Sequence, residues 1–202
     1  MMKTLKRCIL AIMLLTFCMS GTMSAQAAST KAKAIKAYKQ FLEKTDSKYS
    51  FSTIYLDKDS VPELLVHEYL VNVGYVYTYK NGKVVKAGGT GKAPVYYYKK
   101  KGIVTSGWQF SGGSSGETAT AYYQLKSGKL NLVLADVKKA ALVNKEWTTV
   151  AEYRQYTNAS GAYTKTEKKA FNKALKKLTG SRRKARIKYY QNTAANRKKH
   201  LK

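Results

Sequence analysis

The chain carries 38 Lys+Arg against 11 Asp+Glu in 202 residues, a formal net charge of +27, with only 2 cysteines. That length is enough for one domain with a real core, and the charge speaks to solubility and partners rather than to fold. Both cysteines, Cys8 and Cys18, fall near the start, so the rest of the chain has no disulfide framework, no thiolate nucleophile and no Cys-ligated zinc.

Residues 1–27 have the pattern of a secretory signal. Lys3, Lys6 and Arg7 precede the apolar run Cys8 to Met19, and Ala25-Gln26-Ala27 supplies small residues for cleavage. The run is 12 residues long, short of the roughly 20 that a spanning helix needs. Cys18 follows Phe17, which is too bulky to precede a lipidated cysteine. The expected product is exported, with no stable transmembrane anchor. Removing the three basic residues of this segment from +27 leaves +24.

Ser29 to Lys44 is predicted to be a helix, with Ala34, Ile35, Tyr38, Phe41 and Leu42 on one face and lysines on the rest. Tyr49 to Leu70 then reads as strand, acidic turn (Asp57-Lys58-Asp59-Ser60) and strand. Tyr75 to Lys80, Asn81-Gly82 and Lys83-Val84-Val85 form a strong hairpin signal. Gly88 to Gly91 is expected to be a loop, and Lys99 to Gly102 the turn of a further hairpin. Tyr123 to Leu130 echoes Tyr77 to Val84 at a distance of 46 positions, again with a glycine turn, Ser127-Gly128. Two echoes are too few for a propeller and read as similar hairpins in one meander.

From Trp147 the period shifts towards 3.6. Thr149 with Glu152, and Thr164 with Glu167, both have capping-box spacing. The second is expected to open an amphipathic helix with Phe171, Leu175 and Leu178 on one face, stopped by Gly180. Arg182 to Tyr190 is expected to be an edge strand or irregular, and Thr193 to cap a last short turn. The fold class is α+β: an N-terminal helix, an antiparallel meander of about six to eight strands, and C-terminal helices. The expected divisions are the signal at 1–27, the α+β domain at 28–164, and a basic helical segment at 165–202. That last segment holds 15 Lys+Arg and one acid.

The acidic turn is the first candidate site. Alternating oxygen ligands around a sharp bend suit a hard cation, and Asp57, Asp59 and Glu63 occupy such positions. Asp57 to Val66 resembles the D-x-D-G-x-P-E-L signature of many secreted and lipid-anchored proteins of Gram-positive bacteria, themselves related to the calcium loops of integrin-like propeller blades. The two tyrosine hairpins and Asn192 to Arg197 resemble features of the same proteins. The resemblance implies an exported location, a related architecture and Ca²⁺ as the candidate cofactor. Tyr55 and Ser60 depart from the pattern, where an aspartate and a glycine are usual.

Catalytic constellations are thin. Gly112-Gly113-Ser114-Ser115-Gly116 matches G-x-S-x-G, but strand-like residues follow where a helix is required. His67 and His200 are the only histidines, and Gly89-Thr90-Gly91-Lys92 lacks the spacing of a phosphate loop. Tyrosine is abundant, 17 against 5 Phe. Tyr75, Tyr77 and Tyr79 share one strand face, as do Tyr96 and Tyr98, either as a stacking surface or as half-buried sheet residues.

The charge points to a non-catalytic binding protein for anionic polymers such as teichoic acid, acidic glycan or nucleic acid, with cell-wall association. Contacts are expected from Arg182, Arg183, Lys184, Arg186, Lys188, Arg197, Lys198 and Lys199, because displacing counterions from phosphates drives such binding. The alternatives are an extracellular hydrolase of glycan or wall substrate, drawing on paired carboxylates, and a cationic tail acting on membranes or a host.

Overall fold

The computed structural model describes residues 28–112, 115–143, 146–157 and 161–202. The signal-like segment and the serine of the G-x-S-x-G match lie outside them. Helix α1 covers residues 28–43, and Ala34, Ile35, Tyr38 and Leu42 form its buried stripe at helical spacing. The strands follow in two antiparallel sheets, so the architecture is α+β, with the sheet divided in two.

The first sheet contains β1 (Tyr49–Ile54), β2 (Glu63–Glu68), β3 (Val73–Lys80) and β4 (Lys83–Thr90). The second contains β5 (Tyr96–Tyr98), β6 (Ile103–Gly112), β7 (Ser115–Lys126), β8 (Lys129–Val143), β9 (Glu146–Tyr156) and β10 (Tyr163–Thr166). Helix α2 (Lys168–Thr179), β11 (Ala185–Arg186), β12 (Tyr190–Gln191) and helix α3 (Ala194–His200) complete the chain. The sheet orders are β12-β1-β2-β3-β4 and β10-β9-β8-β7-β6-β5-β11.

Alternation along the strands builds two cores. Phe51, Leu64 and Val66 face α1 and Leu201, while Ile54, Leu65 and Val76 meet Val104, Ala121 and Tyr123 of the second sheet. On the outer face of the second sheet, Phe171 of α2 packs against Tyr122 and Tyr153, ring centroids 6.1 and 5.2 Å away. Helix, sheet, sheet and helix are thus stacked in that order.

Three expectations need correction. Gly88 and Gly89 are not loop residues but continue β4. A Cβ at Gly88 would lie 2.9 Å from that of Leu130, so glycine there lets the two sheets approach. The Thr149–Glu152 box caps no helix. It lies inside β9, with Thr149 opposite Ala140 and Glu152 opposite Val137. The Thr164 box also fails as a cap: Thr164 and Thr166 pair with Gln155 and Tyr153, and Glu167 is the N-cap of α2, without a side-chain cap bond.

The C-terminal stretch is woven into both sheets. β11 pairs with β5, Ile187 donates its N–H to the Val95 carbonyl at 2.9 Å, and β12 pairs with β1. Asn192, 2 % exposed, donates Nδ2 to the carbonyls of Leu42 and Thr45 at 2.8 and 2.9 Å. The chain between 185 and 192 therefore bridges the edges of the two sheets and caps the end of α1.

Candidate functional site

The acidic turn connects β1 to β2 and is held by its own side chains. Asp57 Oδ1 accepts the Asp59 N–H at 2.9 Å, and Asp59 Oδ1 accepts the Val61 N–H at 2.8 Å. These are Asx turns, the usual device by which aspartate folds a loop back on itself. From outside, the β5–β6 hairpin fixes the turn: Lys100 N–H reaches the Tyr55 carbonyl at 3.0 Å and Gly102 N–H the Leu56 carbonyl at 2.6 Å. Ser60 does not adopt a positive φ, so the bend forms without a glycine at that position.

The turn brings Asp57, Asp59 and Glu63 together, with one carboxylate oxygen of each within 4.8 Å of the others. Glu63 is 3 % exposed, and its Oε2 accepts the Leu56 N–H at 2.8 Å. Burial, then the charge of Asp57, push its carboxyl up to about 8 against the pull of the Leu56 N–H. Burial also raises Asp59, opposed by the Val61 N–H. Among the described residues no lysine or arginine forms an ion pair with any of the three.

Tyr38 of α1 is fully buried and senses the same cluster. Burial is the main cause of its raised phenol pKa, followed by the charges of Glu63, Asp59 and Asp57. Its hydroxyl makes no hydrogen bond; the neighbouring Tyr79 backbone does not reach bonding geometry. An oxygen-only set of three crowded carboxylates fits a hard divalent cation, which would neutralise charge that no direct ion pair among the described residues offsets.

A cleft of about 580 Å³ opens over this cluster, and Lys58, Tyr79, Lys80, Lys126 and Ser127 also line it. The two echoed hairpins therefore converge here, one from each sheet. Their turns have matching backbones, with φ of 51° and 78° at Asn81 and Gly82, and 53° and 77° at Ser127 and Gly128. These are the positive angles of a two-residue hairpin turn.

The predicted basic residues separate into two groups. Arg182, Arg183 and Lys184 are exposed just before the bridge between the sheets, and Arg186 and Lys188 are exposed along it. There, Lys184 Nζ sits 4.5 Å from the ring centroid of Tyr96 and Lys188 Nζ 5.6 Å from that of Tyr190. Lys198 and Lys199 are exposed on α3. Arg197 differs, donating to Asn192 Oδ1 at 2.9 Å and acting as part of the latch on α1. None of them meets a carboxylate among the described residues, where Lys48, Lys139, Arg154 and Lys165 supply the cations of the ion pairs.

The tyrosines are mostly committed to packing. Tyr77 lies against Phe41, centroids 4.7 Å apart, and with Tyr79 joins the helix-side core. Lys86 Nζ covers Tyr75 at 3.8 Å. Tyr96 lies under Lys184, and Tyr98 is half-buried, its phenol raised by burial.

The sequence reading missed a polar network on the second sheet. Arg154, 7 % exposed, grips Glu117 through Nη1 and Nη2 at 3.2 and 2.8 Å and Glu152 through Nε at 2.6 Å, and Trp108 Nε1 donates to Glu117 at 2.7 Å. Only the register of β6, β7 and β9 unites these residues, so no local spacing announces them. No family model, curated protein or solved structure matches this chain.

Proposed function

We propose that the protein is a non-catalytic binder of anionic polymers at the cell exterior, gripping a phosphate- or carboxylate-bearing chain along the basic stretch from Arg182 to Lys188 that leads into and along the bridge, with Lys198 and Lys199 extending the contact. One observation carries the reading: these cations are exposed and unpaired with carboxylates among the described residues, and they flank a short segment tied to one sheet by the β11–β5 pairing and to the other by β12–β1. Anchoring the segment at β11 and β12 limits the backbone entropy lost on binding, and releasing condensed counterions supplies the drive. Teichoic acid, acidic glycan and nucleic acid all present repeated negative charge along a chain.

The test compares two variants of equal net charge on a heparin column. R182Q/R183Q/K184Q alters the bridge, and K168Q/K169Q/K173Q alters exposed lysines of α2. The bridge variant is expected to elute at clearly lower salt than the α2 variant. Equal elution would reduce the binding to diffuse charge and defeat the proposal.

The converging carboxylates favour a second reading alongside the first. Asp57, Asp59 and Glu63 would hold Ca²⁺, whose chemistry here is structural: it neutralises the turn and fixes the start of β2 against the two hairpins. The cation would act as a clamp on the fold that carries the basic bridge.

A further inference from the structure

Helix α1 and the chain end at Leu201 enclose an open groove of about 560 Å³. Its floor comes from Ala28, Ala32 and Ile35, at positions i, i+4 and i+7 of one helical face, together with Leu201. Its rim is entirely basic: Lys31, Lys36 and Lys39 on one side, Lys198 and Lys202 on the other. Among the described residues no acidic residue lines it. Lys31 leans over Tyr55 at 5.8 Å, and no ion pair among the described residues involves any of the five.

We infer that this groove binds a single-chain amphiphile with a phosphate head, its alkyl chain on the floor and its head among the lysine ammonium groups. Charge complementarity selects the ligand. Five cations around one mouth repel each other, and an anionic head relieves that repulsion. A bare phosphate would leave the floor wet, and a neutral amphiphile would leave the cations unmatched. The volume lies within the ~300–1,000 Å³ usual for small-molecule sites. The groove shares Lys198 with the surface proposed for polymer binding but none of the 182–188 cations, so loss of polymer binding in R182Q/R183Q/K184Q leaves this inference standing.

The test is calorimetric titration of residues 28–202, which contain every described element, with dodecyl phosphate below its micellar concentration. One saturable site is expected, with inorganic phosphate and dodecyl maltoside each at least tenfold weaker. Ala32→Glu puts a carboxylate on the floor at an exposed helical position and is expected to weaken binding at least tenfold. K36E/K39E should do the same from the rim, and serves alone if the circular dichroism of Ala32→Glu departs from wild type. K83E/K129E makes the same charge change on hairpin residues that do not line the groove, and is expected to bind normally. Equal binding of dodecyl maltoside, equal loss in K83E/K129E, or non-saturable uptake would overturn the inference. So would protection of the groove by residues 1–27 in the full chain, or closure of this face by a second copy in sedimentation.

Discussion

Arg154→Met keeps an unbranched stem over the second sheet and removes the charge that Glu117 and Glu152 share. In the native protein burial raises the Glu152 carboxyl, but hydrogen bonds from Arg154, Lys165 and Lys139 outweigh it and hold the group down to about 2, against an ordinary 4.5. Glu117 is lowered in the same sense, burial opposing the bonds from Arg154 and Trp108. A carboxyl lowered on folding contributes stability that is complete above its unfolded value and lost as pH falls through its folded value. For Glu152 that window runs from about 4.5 to about 2. The shift corresponds to roughly 3 kcal/mol, and solvent screening at the sheet surface brings the expected contribution to about 2 kcal/mol. Urea unfolding at pH 7 is therefore expected to show Arg154→Met less stable by about 2–3 kcal/mol. Between pH 5 and pH 2 its stability should fall less steeply than that of the wild type. An Arg154→Met protein within about 0.5 kcal/mol of wild type at pH 7, or one with an unchanged acid slope, would refute the reasoning.

The acidic turn and the chain end offer further tests. With a chelator present, Glu63 titrates near 8 in the folded protein, so the folded state holds a proton that the unfolded chain releases and stability should fall as pH rises from about 5 to 8. Glu63→Gln should flatten that decline, and calcium at pH 8 should raise the Tm of wild type but not of the variant; thermal unfolding reads both. Asn192→Ala removes the donors to Leu42 and Thr45 and is expected to cost about 2–3 kcal/mol, with loosening of α1 and α3 visible by hydrogen exchange.

Several turns and caps written in adjacent residues formed as expected. Asn81-Gly82 and Ser127-Gly128 turn two hairpins with the left-handed angles that those pairs favour, Gly180 ends α2 at φ 62°, and the Thr193 side chain accepts the Asn196 N–H to cap α3. The acidic turn was legible too, because its aspartates act on neighbours two residues away. What depends on register was not. The letters of Thr149 to Glu152 suit a helix start, yet pairing with β8 and the charges around Arg154 outweigh a cap worth about 1 kcal/mol. The division into two sheets turns on Pro94, which cannot donate to a ladder and sits between β4 and β5, and on Gly88 packing against Leu130. The convergence of the two echoed turns on the acidic cleft, and of α1 on Leu201, follows from that division and has no signature in either segment.

The salt dependence of binding to a single-stranded oligonucleotide tests the central claim most directly. Each phosphate neutralised contributes about −0.7 to the slope of log K against log salt. If Arg182, Arg183, Lys184, Arg186 and Lys188 all engage, a slope of about −3.5 is expected, and R182Q/R183Q should make it shallower by about 1.4. A wild-type slope shallower than about −1, or the same slope in both proteins, would contradict binding through this bridge.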